Sequence, residues 1–309
     1  MSTTLQAILP IFLIIAIGHL LYRTRVVGAP VWSAIEHICF YLLMPFLIVR
    51  TLIRADLGDV PVMEFMVVLV GAILGMSMIL VLGHALLKKR YPQSGPTFTS
   101  LYQGATRFHG FMAIAIIGPL YGDPGLALAA LALSIMVPIL NVCSVIVLTV
   151  YGSGDEEANI RQILFRILTN PLIIACVTGI ALNLVGVHDV IFNTIDIIGS
   201  GGLGLALLAV GAGLRMDEAS EAKFLVVFGV LTRLIGMPMI VILMTWLVGL
   251  EGLPRTVAII AGAVPTAASS YVMARKMGGN AELMSNIVTF QVLAAFITLP
   301  VFVYIANQL

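Results

Sequence analysis

Two arginines, Arg107 and Arg233, lie deep inside long apolar stretches of the chain, where a charged side chain is costly. Arg233 follows Lys223 by ten residues, which is a helical rise of about 15 Å, or half of a hydrocarbon core about 30 Å thick. An arginine at that depth costs roughly 2.5–3.5 kcal/mol on insertion scales. Each arginine therefore needs a partner. The partner can be structural: the carboxylate of Glu36 or Asp196, or backbone carbonyls at a helix break. Alternatively, it is the carboxylate of an anionic substrate, which the guanidinium would hold by a forked contact.

Arg107 lies in one of two stretches that the sequence predicts to be interrupted helices. Residues 104–111 read GATRFHGF, and residues 262–270 read GAVPTAASS. Pro265 removes a backbone hydrogen bond from its helix and pushes against the preceding turn. An interruption leaves unpaired N–H groups at the start of the next half-helix, and these groups together with the helix dipole favour an anion. Interruptions at matching places in two halves of a membrane protein point to a transport site, and a simple proline kink is the alternative.

Polar residues in and near these stretches are the candidate substrate-binding residues. His109 can carry a proton, since histidine titrates near neutral pH, or it can act as a neutral hydrogen-bond donor. Asn141, Asn286 and Gln291 lie in neighbouring apolar stretches and can either bind substrate or hydrogen-bond between helices. The predicted substrate-binding set is Arg107, His109, Gly110, Asn141, Arg233, Pro265, Thr266, Ser269, Ser270 and Gln291.

The composition excludes a water-soluble protein. Of the 309 residues, 60% are hydrophobic and 10% are charged, and the mean hydropathy is +1.10. A soluble domain carries about 25% charged residues, and disorder needs low hydrophobicity with a high net charge. The net charge of +1 gives no indication of nucleic-acid binding. The chain is therefore predicted to be a polytopic membrane protein.

Ten apolar stretches approach the length of about 20 residues that a membrane-spanning helix needs. They are too long and continuous for the alternating strands of a membrane barrel, so an all-α protein is expected. The Lys and Arg residues in the loops and at the span ends number eleven on one side and three on the other. The side with eleven is expected to be cytoplasmic, which leaves both termini facing outward. The predicted spans are 5–22, 32–53, 62–87, 97–121, 125–150, 163–185, 190–213, 223–249, 255–276 and 283–307.

A polar, short cytoplasmic loop, 152–162, divides the spans five and five, so residues 1–151 and 163–309 are predicted to be two repeats. The sequence around Gly104 is similar to that around Gly262, and Pro138 has a counterpart in Pro300. Because each repeat holds an odd number of spans, the second is expected to be inverted in the membrane. Inverted repeats with a site at their interface are typical of transporters.

Catalytic and metal-binding motifs give no support to an enzyme. Cys39, Cys143 and Cys176 lie within spans without metal-ligand spacing, and are interpreted as packing residues. Residues 199–204, GSGGLG, match G-x-G-x-x-G but lie in an apolar span, so close helix packing explains them better. A membrane sensor or enzyme would need a soluble output domain or a catalytic constellation. We therefore expect no enzyme activity, no resident metal and no cofactor.

The chain resembles the auxin efflux carrier family over essentially its whole length. The resemblance is most specific at Arg107-Phe-His-Gly-Phe111 and at Ala263-Val-Pro-Thr-Ala267. The short central loop is similar to that of the bacterial branch with malonate and malate permeases, whereas plant members have a long one. His109 stands where the family usually has asparagine. The family also usually has a proline soon after the span-four interruption, whereas the first one here is Pro119, close to the end of the span. These departures predict a different anion or a different coupled ion at this site.

This resemblance implies a fold related to that of the bile-acid sodium symporters. Spans one, two, six and seven would form a scaffold. Spans three to five and eight to ten would form a transport bundle whose broken helices, spans four and nine, cross at mid-membrane. The resemblance also implies a homodimer formed through the scaffold and an elevator-like movement. The expected location is the lipid bilayer of a bacterial inner membrane, with both termini on the periplasmic side.

The predicted function is a secondary transporter of a small organic anion, a mono- or dicarboxylate such as malonate or malate. Importing a dianion against about 100 mV costs about 4.6 kcal/mol, at roughly 2.3 kcal/mol per charge. Uptake would therefore need a coupled proton or sodium ion, whereas export would not, and uniport is also open. The alternative is an uncoupled exporter or channel-like facilitator of amphipathic acids, such as aromatic or auxin-like acids.

Overall fold

A computed structural model describes residues 2–55, 60–87, 89–90, 92–153, 161, 165, 168–214 and 223–309. Lys88, Arg166 and Arg215 of the charge count lie outside the described residues, as does most of the predicted loop 152–162. Every regular element in the described part of the chain is helical, which confirms the all-α prediction. The α-helices in chain order are α1 (Ser2–Arg23), α2 (Ala29–Ile38), α3 (Met44–Ile53), α4 (Val62–Leu87), α5 (Gly95–Thr106), α6 (Gly110–Tyr151), α7 (Pro171–Val185), α8 (Asp189–Ser200), α9 (Gly202–Ala212), α10 (Lys223–Leu231), α11 (Met237–Val248), α12 (Gly252–Ala263), α13 (Ser269–Lys276) and α14 (Ala281–Gln308).

By length and apolar composition, seven helical segments among the described residues can cross a membrane. The segment Gly95–Tyr151 is 57 residues long and covers two of the ten predicted spans. Pro171–Val185 and Gly252–Ala263, which belong to predicted spans six and nine, are apolar but shorter. The chain is therefore a polytopic helical membrane protein.

Helix α6 contains a sharp turn at Gly122, between predicted spans four and five. Gly122 has φ +61° and ψ −154°, a backbone conformation essentially restricted to glycine. Because the residues on both sides are helical, the turn divides α6 into two arms.

Two helices pass through a π-helical turn shortly before a proline. Cys39–Leu43 precedes Pro45, and Thr232–Gly236 precedes Pro238. A proline has no N–H to donate to the carbonyl four residues earlier. A wider π turn is one way in which a helix accommodates that loss, and such turns are frequent at functional sites. The second turn carries Arg233.

One compact unit consists of Met1–Val60, Gly110–Ser134 and Leu164–Leu214. It contains predicted spans one, two and seven and all of span six except its first residue. It also contains the first arm of α6 and part of the second, which the sequence assigns to spans four and five. Small residues allow its helices to approach closely: a Cβ atom added at Gly199 would lie 2.9 Å from the Leu47 backbone. A Cβ atom added at Gly202 would likewise lie 2.9 Å from Leu43 Cβ, so Gly199 and Gly202 are packing residues, whereas one added at Gly204 would meet nothing within 4 Å.

Polar contacts in this unit connect α3 to its neighbours. The Arg50 guanidinium forms a salt bridge of 2.6 Å with the Asp196 carboxylate on α8. The Asn183 amide on α7 donates to three carbonyls near the end of α3, at distances of 2.9 to 3.1 Å. Asp196, one of the two acidic residues considered as a partner for the deep arginines, is therefore paired with Arg50.

A second compact unit consists of Pro61–His109, Ile135–Ile163 and Arg215–Leu309. At one end of it, a Cβ atom added at Gly95 would overlap the Tyr151 carbonyl oxygen. The start of α5 therefore lies against the end of α6, and the two helices run in opposite directions.

The interior of this second unit is built around Ile287 on α14, which is 0% exposed. Cβ atoms added at Gly104 and Gly229 would lie 2.8 and 2.9 Å from the Ile287 side chain. Both glycines are therefore needed for α5 and α10 to approach α14. This packing places the end of α5 near the π-helical turn that carries Arg233.

Candidate functional site

Helices α5 and α12 stop in the same way. Each has 12 residues, and each is followed by one extended residue. Arg107 has φ −68° and ψ 149°, and Val264 has φ −69° and ψ 150°. Helix resumes at Gly110 in one case and at Ser269 in the other. The two interruptions thus lie where the sequence predicted them, and each leaves carbonyl groups without their usual helical donors.

The Arg233 guanidinium donates to carbonyls of both interruptions. Nε lies 2.8 Å from the Val264 carbonyl oxygen, Nη1 lies 3.3 Å from that of Thr106, and Nη2 lies 3.3 Å from that of Ala261. In an unbroken helix the Ala261 carbonyl would accept from residue 265, but Pro265 has no N–H. Arg233 is 0% exposed. The partners of Arg233 are thus backbone carbonyls at the helix breaks. This is one of the alternatives that the sequence left open for this residue.

Thr266 and Gln291 join the two interruptions directly. The Thr266 hydroxyl lies 2.8 Å from the Gly104 carbonyl oxygen and 3.1 Å from that of Arg107. Gln291 Nε2 donates to the carbonyls of Gly104 and Gly229, at 2.7 and 2.9 Å, and its Oε1 accepts the Thr266 N–H at 2.8 Å. Both side chains are 0% exposed, so their polar atoms are used within the protein.

The Arg107 guanidinium has a different environment. Nη1 lies 3.1 Å from Asn141 Oδ1 and 3.4 Å from Met273 Sδ, and Nη2 lies 3.3 Å from Ser269 Oγ. Arg107 and Asn141 are half-buried, and Ser269 is exposed. Within the described ranges no carboxylate forms a salt bridge with Arg107. Its charge is therefore held by neutral groups, and the group is not fully enclosed by the protein.

The remaining predicted residues lie at the same interruptions. His109 precedes α6 and is 6% exposed, and Gly110 begins α6 with its Cα facing the Leu133 side chain. Pro265 is buried in the non-helical segment after α12. Ser270 on α13 is 0% exposed.

Three residues that sequence reasoning did not select also lie at this site. Met273 contacts Arg107 through its sulfur. Gln103 and Ser144 are 0% exposed, and each is one turn along its helix from a selected residue. Gln103 is four residues before Arg107, and Ser144 is three residues after Asn141. These helical spacings were the sequence signal that could have identified both residues.

The geometry separates two chemical tasks. Arg233, Thr266 and Gln291 are enclosed and satisfy the backbone of the two interruptions. Arg107, Asn141 and Ser269 form a partly exposed group with one permanent positive charge, a hydroxyl and an amide. Such a group can bind an oxyanion through charge-assisted hydrogen bonds. In the described part of the chain no cluster of His, Cys, Asp and Glu could hold a metal ion.

Comparisons with known proteins agree with a transport role. The family model described as membrane transport protein matches residues 3–303. An uncharacterized transporter of Methanothermobacter thermautotrophicus is 22% identical over 304 residues, which is 96% of each chain. The uncharacterized transporter YfdV of Escherichia coli K12 is 26% identical over 213 residues, and so is that of Shigella flexneri; the match covers 64% of each chain. The chain belongs to this family of membrane transport proteins, the auxin efflux carrier family.

Proposed function

We propose that this protein is a secondary transporter of a small organic anion and that Arg107 binds the anion. Family membership supports transport, and the environment of Arg107 supports the charge of the substrate. Among the described residues its hydrogen-bond partners are the neutral side chains of Asn141, Ser269 and Met273. A charge within a membrane-spanning segment is normally paired, and a mono- or dicarboxylate such as malonate or malate would supply the missing partner. This observation carries the proposal.

The second deep arginine supports the same assignment by its different role. Arg233 already donates to three backbone carbonyls and is fully buried. A substrate would have to displace those bonds to reach it. We therefore assign Arg233, Thr266 and Gln291 to holding the two interruptions together. Arg107, Asn141 and Ser269 are assigned to the substrate, with His109 and Ser270 beside them.

For the architecture we propose ten spans in two inverted repeats, 1–151 and 163–309. The equal lengths of α5 and α12, their starts 157 residues apart and their matching extended ends support this arrangement. Spans one, two, six and seven would be the scaffold, and spans three to five and eight to ten the moving bundle of an elevator. The protein would act as a homodimer in a bacterial inner membrane with both termini outside.

Proteoliposome uptake of radiolabelled malonate, with proton and sodium gradients imposed separately, tests this function. We expect uptake driven by one gradient in the wild type and uptake at background in Arg107→Gln. The control is Arg50→Gln, which also removes one arginine but, among the described residues, breaks a salt bridge to Asp196 and no contact of Arg107; it should retain uptake. Arg107→Lys keeps the charge but loses the fork, so its uptake should be intermediate.

Two results would contradict the proposal. Wild-type uptake in Arg107→Gln would show that Arg107 does not bind the anion. No uptake of malonate or malate under either gradient by folded protein, with gradient-independent efflux of aromatic acids, would replace the coupled carboxylate carrier by an uncoupled exporter.

A further inference from the structure

Three fully buried polar side chains of the second unit have no hydrogen-bond partner within the described residues, in addition to the partly exposed Thr298 hydroxyl and Arg255 Nε. The three are the Gln103 amide on α5, the Ser144 hydroxyl on α6 and the Ser270 hydroxyl on α13. Each of the three residues is 0% exposed. Because most buried polar side chains in proteins are hydrogen-bonded, three such groups in one unit call for an explanation.

Gln103 and Ser270 lie at the same level of two neighbouring helices. Arg107 is one turn after Gln103, and its backbone N–H donates to the Gln103 carbonyl at 3.0 Å. Thr266, four residues before Ser270, donates from its hydroxyl to the Arg107 carbonyl at 3.1 Å. The chain segments around Gln103 and Ser270 are thus joined on one side.

The same two helices are also in contact one turn further from the interruptions. A Cβ atom added at Gly279 would lie 3.1 Å from both Thr99 Oγ1 and Ala274 Cβ. Thr99 is four residues before Gln103, and Ala274 is four residues after Ser270. Gln103 and Ser270 therefore lie between two points of contact, on helices that run in opposite directions.

Ser144 joins this level from the third helix. Asn141, three residues before Ser144, accepts a hydrogen bond from Arg107, four residues after Gln103. The end of α6 runs in the opposite direction to α5. Ser144 therefore lies at about the same height along these helices as Gln103, just as Asn141 lies at about the height of Arg107.

We propose that Gln103, Ser144 and Ser270 form a binding site for a sodium ion. The three side chains offer neutral oxygen ligands, which suit a hard monovalent cation. Calcium prefers carboxylate ligands and magnesium keeps several waters. Because all three groups are fully enclosed, the ion would bind without its hydration shell, and a small cation that neutral oxygens can coordinate fits this setting.

The position of this site next to Arg107 gives a reason for coupling, and this step rests on the function proposed above. A sodium ion about one helical turn from an unpaired guanidinium is repelled by it. An anion bound at Arg107 removes that repulsion, so each ligand should increase the affinity for the other by the same factor. Cotransport of sodium would then offset the electrical cost of importing an anion.

Binding of radioactive sodium to the full-length protein in lipid nanodiscs tests the site without any anion. Choline chloride keeps the ionic strength constant. We expect saturable sodium binding, for which lithium competes better than potassium. Gln103→Leu, Ser144→Ala and Ser270→Ala should each weaken sodium binding about tenfold or more. Ser134→Ala on the same α6 is the matched control and should bind sodium like the wild type. The two serine variants of the site remove unpaired hydroxyls, so they should fold at least as stably as the wild type.

Absence of saturable sodium binding, or binding that is unchanged in all three variants, would overturn the site. Equal competition by potassium would overturn the assignment to sodium.

Arg107→Gln separates this proposal from the preceding one. Without anion it should bind sodium about tenfold more tightly than the wild type, and malonate should tighten sodium binding in the wild type but not in this variant. Sodium binding that requires the three side chains but is unaffected by malonate would leave the cation site standing and overturn its coupling to the anion. Malonate uptake that depends on Arg107 without any sodium binding would do the reverse: the transport function would stand and the sodium site would fail.

Discussion

Arg233 Nη2 lies 3.3 Å from the carbonyl oxygen of Ala261, the acceptor whose helical donor would have been residue 265. Pro265 has no N–H, so a guanidinium from another helix takes the place of a backbone donor. The same guanidinium donates to Thr106 and Val264 at the ends of the two broken helices. An arginine at the centre of an apolar stretch can thus be a structural residue.

Arg233→Met should strongly destabilise the fold. It leaves three buried carbonyls without this donor, and one unsatisfied buried group costs about 1–3 kcal/mol. We expect the free energy of unfolding to fall by on the order of 3 kcal/mol or more, measured as a lower melting temperature in a single detergent. Arg107→Gln, whose guanidinium is half-buried, should melt close to the wild type. Equal melting temperatures for the two variants would contradict the division of roles between the two arginines.

Thr266→Val and Thr266→Ser should have opposite outcomes. Valine has the shape of threonine but no hydroxyl, so it loses the bonds to the carbonyls of Gly104 and Arg107. The expected loss of stability is about 1–3 kcal/mol. Serine keeps the hydroxyl and should remain within about 1.5 kcal/mol of the wild type, the cost of one lost buried methyl group. Thermal melting of both variants checks this; a serine variant less stable than the valine variant would argue that packing, and not hydrogen bonding, is what Thr266 contributes.

Gly104→Ala should destabilise the second unit by overpacking. The added Cβ would lie 2.8 Å from Ile287 Cγ2 in a fully buried contact, and overpacking of this kind costs about 1–3 kcal/mol. The matched control is Gly83→Ala on α4, where an added Cβ meets nothing within 4 Å and should stabilise by about 0.4–1 kcal/mol. If Gly104→Ala melted at as high a temperature as Gly83→Ala, the packing assigned to Gly104 would be wrong.

Alkaline phosphatase and a cytoplasm-dependent fluorescent protein, each fused after Leu309, test the proposed orientation. The ten proposed spans would put most Lys and Arg in loops on one side, so both termini are expected to lie on the outer side. The phosphatase fusion should be active and the fluorescent fusion dark. The reverse pattern would mean that the chain has an odd number of spans or the opposite orientation.

Several features could be read from the sequence because they depend on local chemistry. Pro265 cannot donate a hydrogen bond in any fold, and the glycines and small residues beside it favour a break. The interruption after Ala263 was therefore predictable, and so was the one at residues 107–109 by its similarity. The apolar composition in turn identified a membrane protein, because a chain with so few charges cannot cover itself with a water-soluble surface.

Side-chain direction and partners were decided only by the tertiary structure. The sequence placed Arg107 and Arg233 at similar depths and left both roles open for each, since depth along a helix does not say what a side chain faces. Packing of α5, α10 and α14 around Ile287 turns Arg233 towards backbone carbonyls and leaves Arg107 with neutral partners. Gln103 and Ser144 are ordinary polar residues in the sequence. That they are enclosed without partners depends on three helices that come together only in the folded chain.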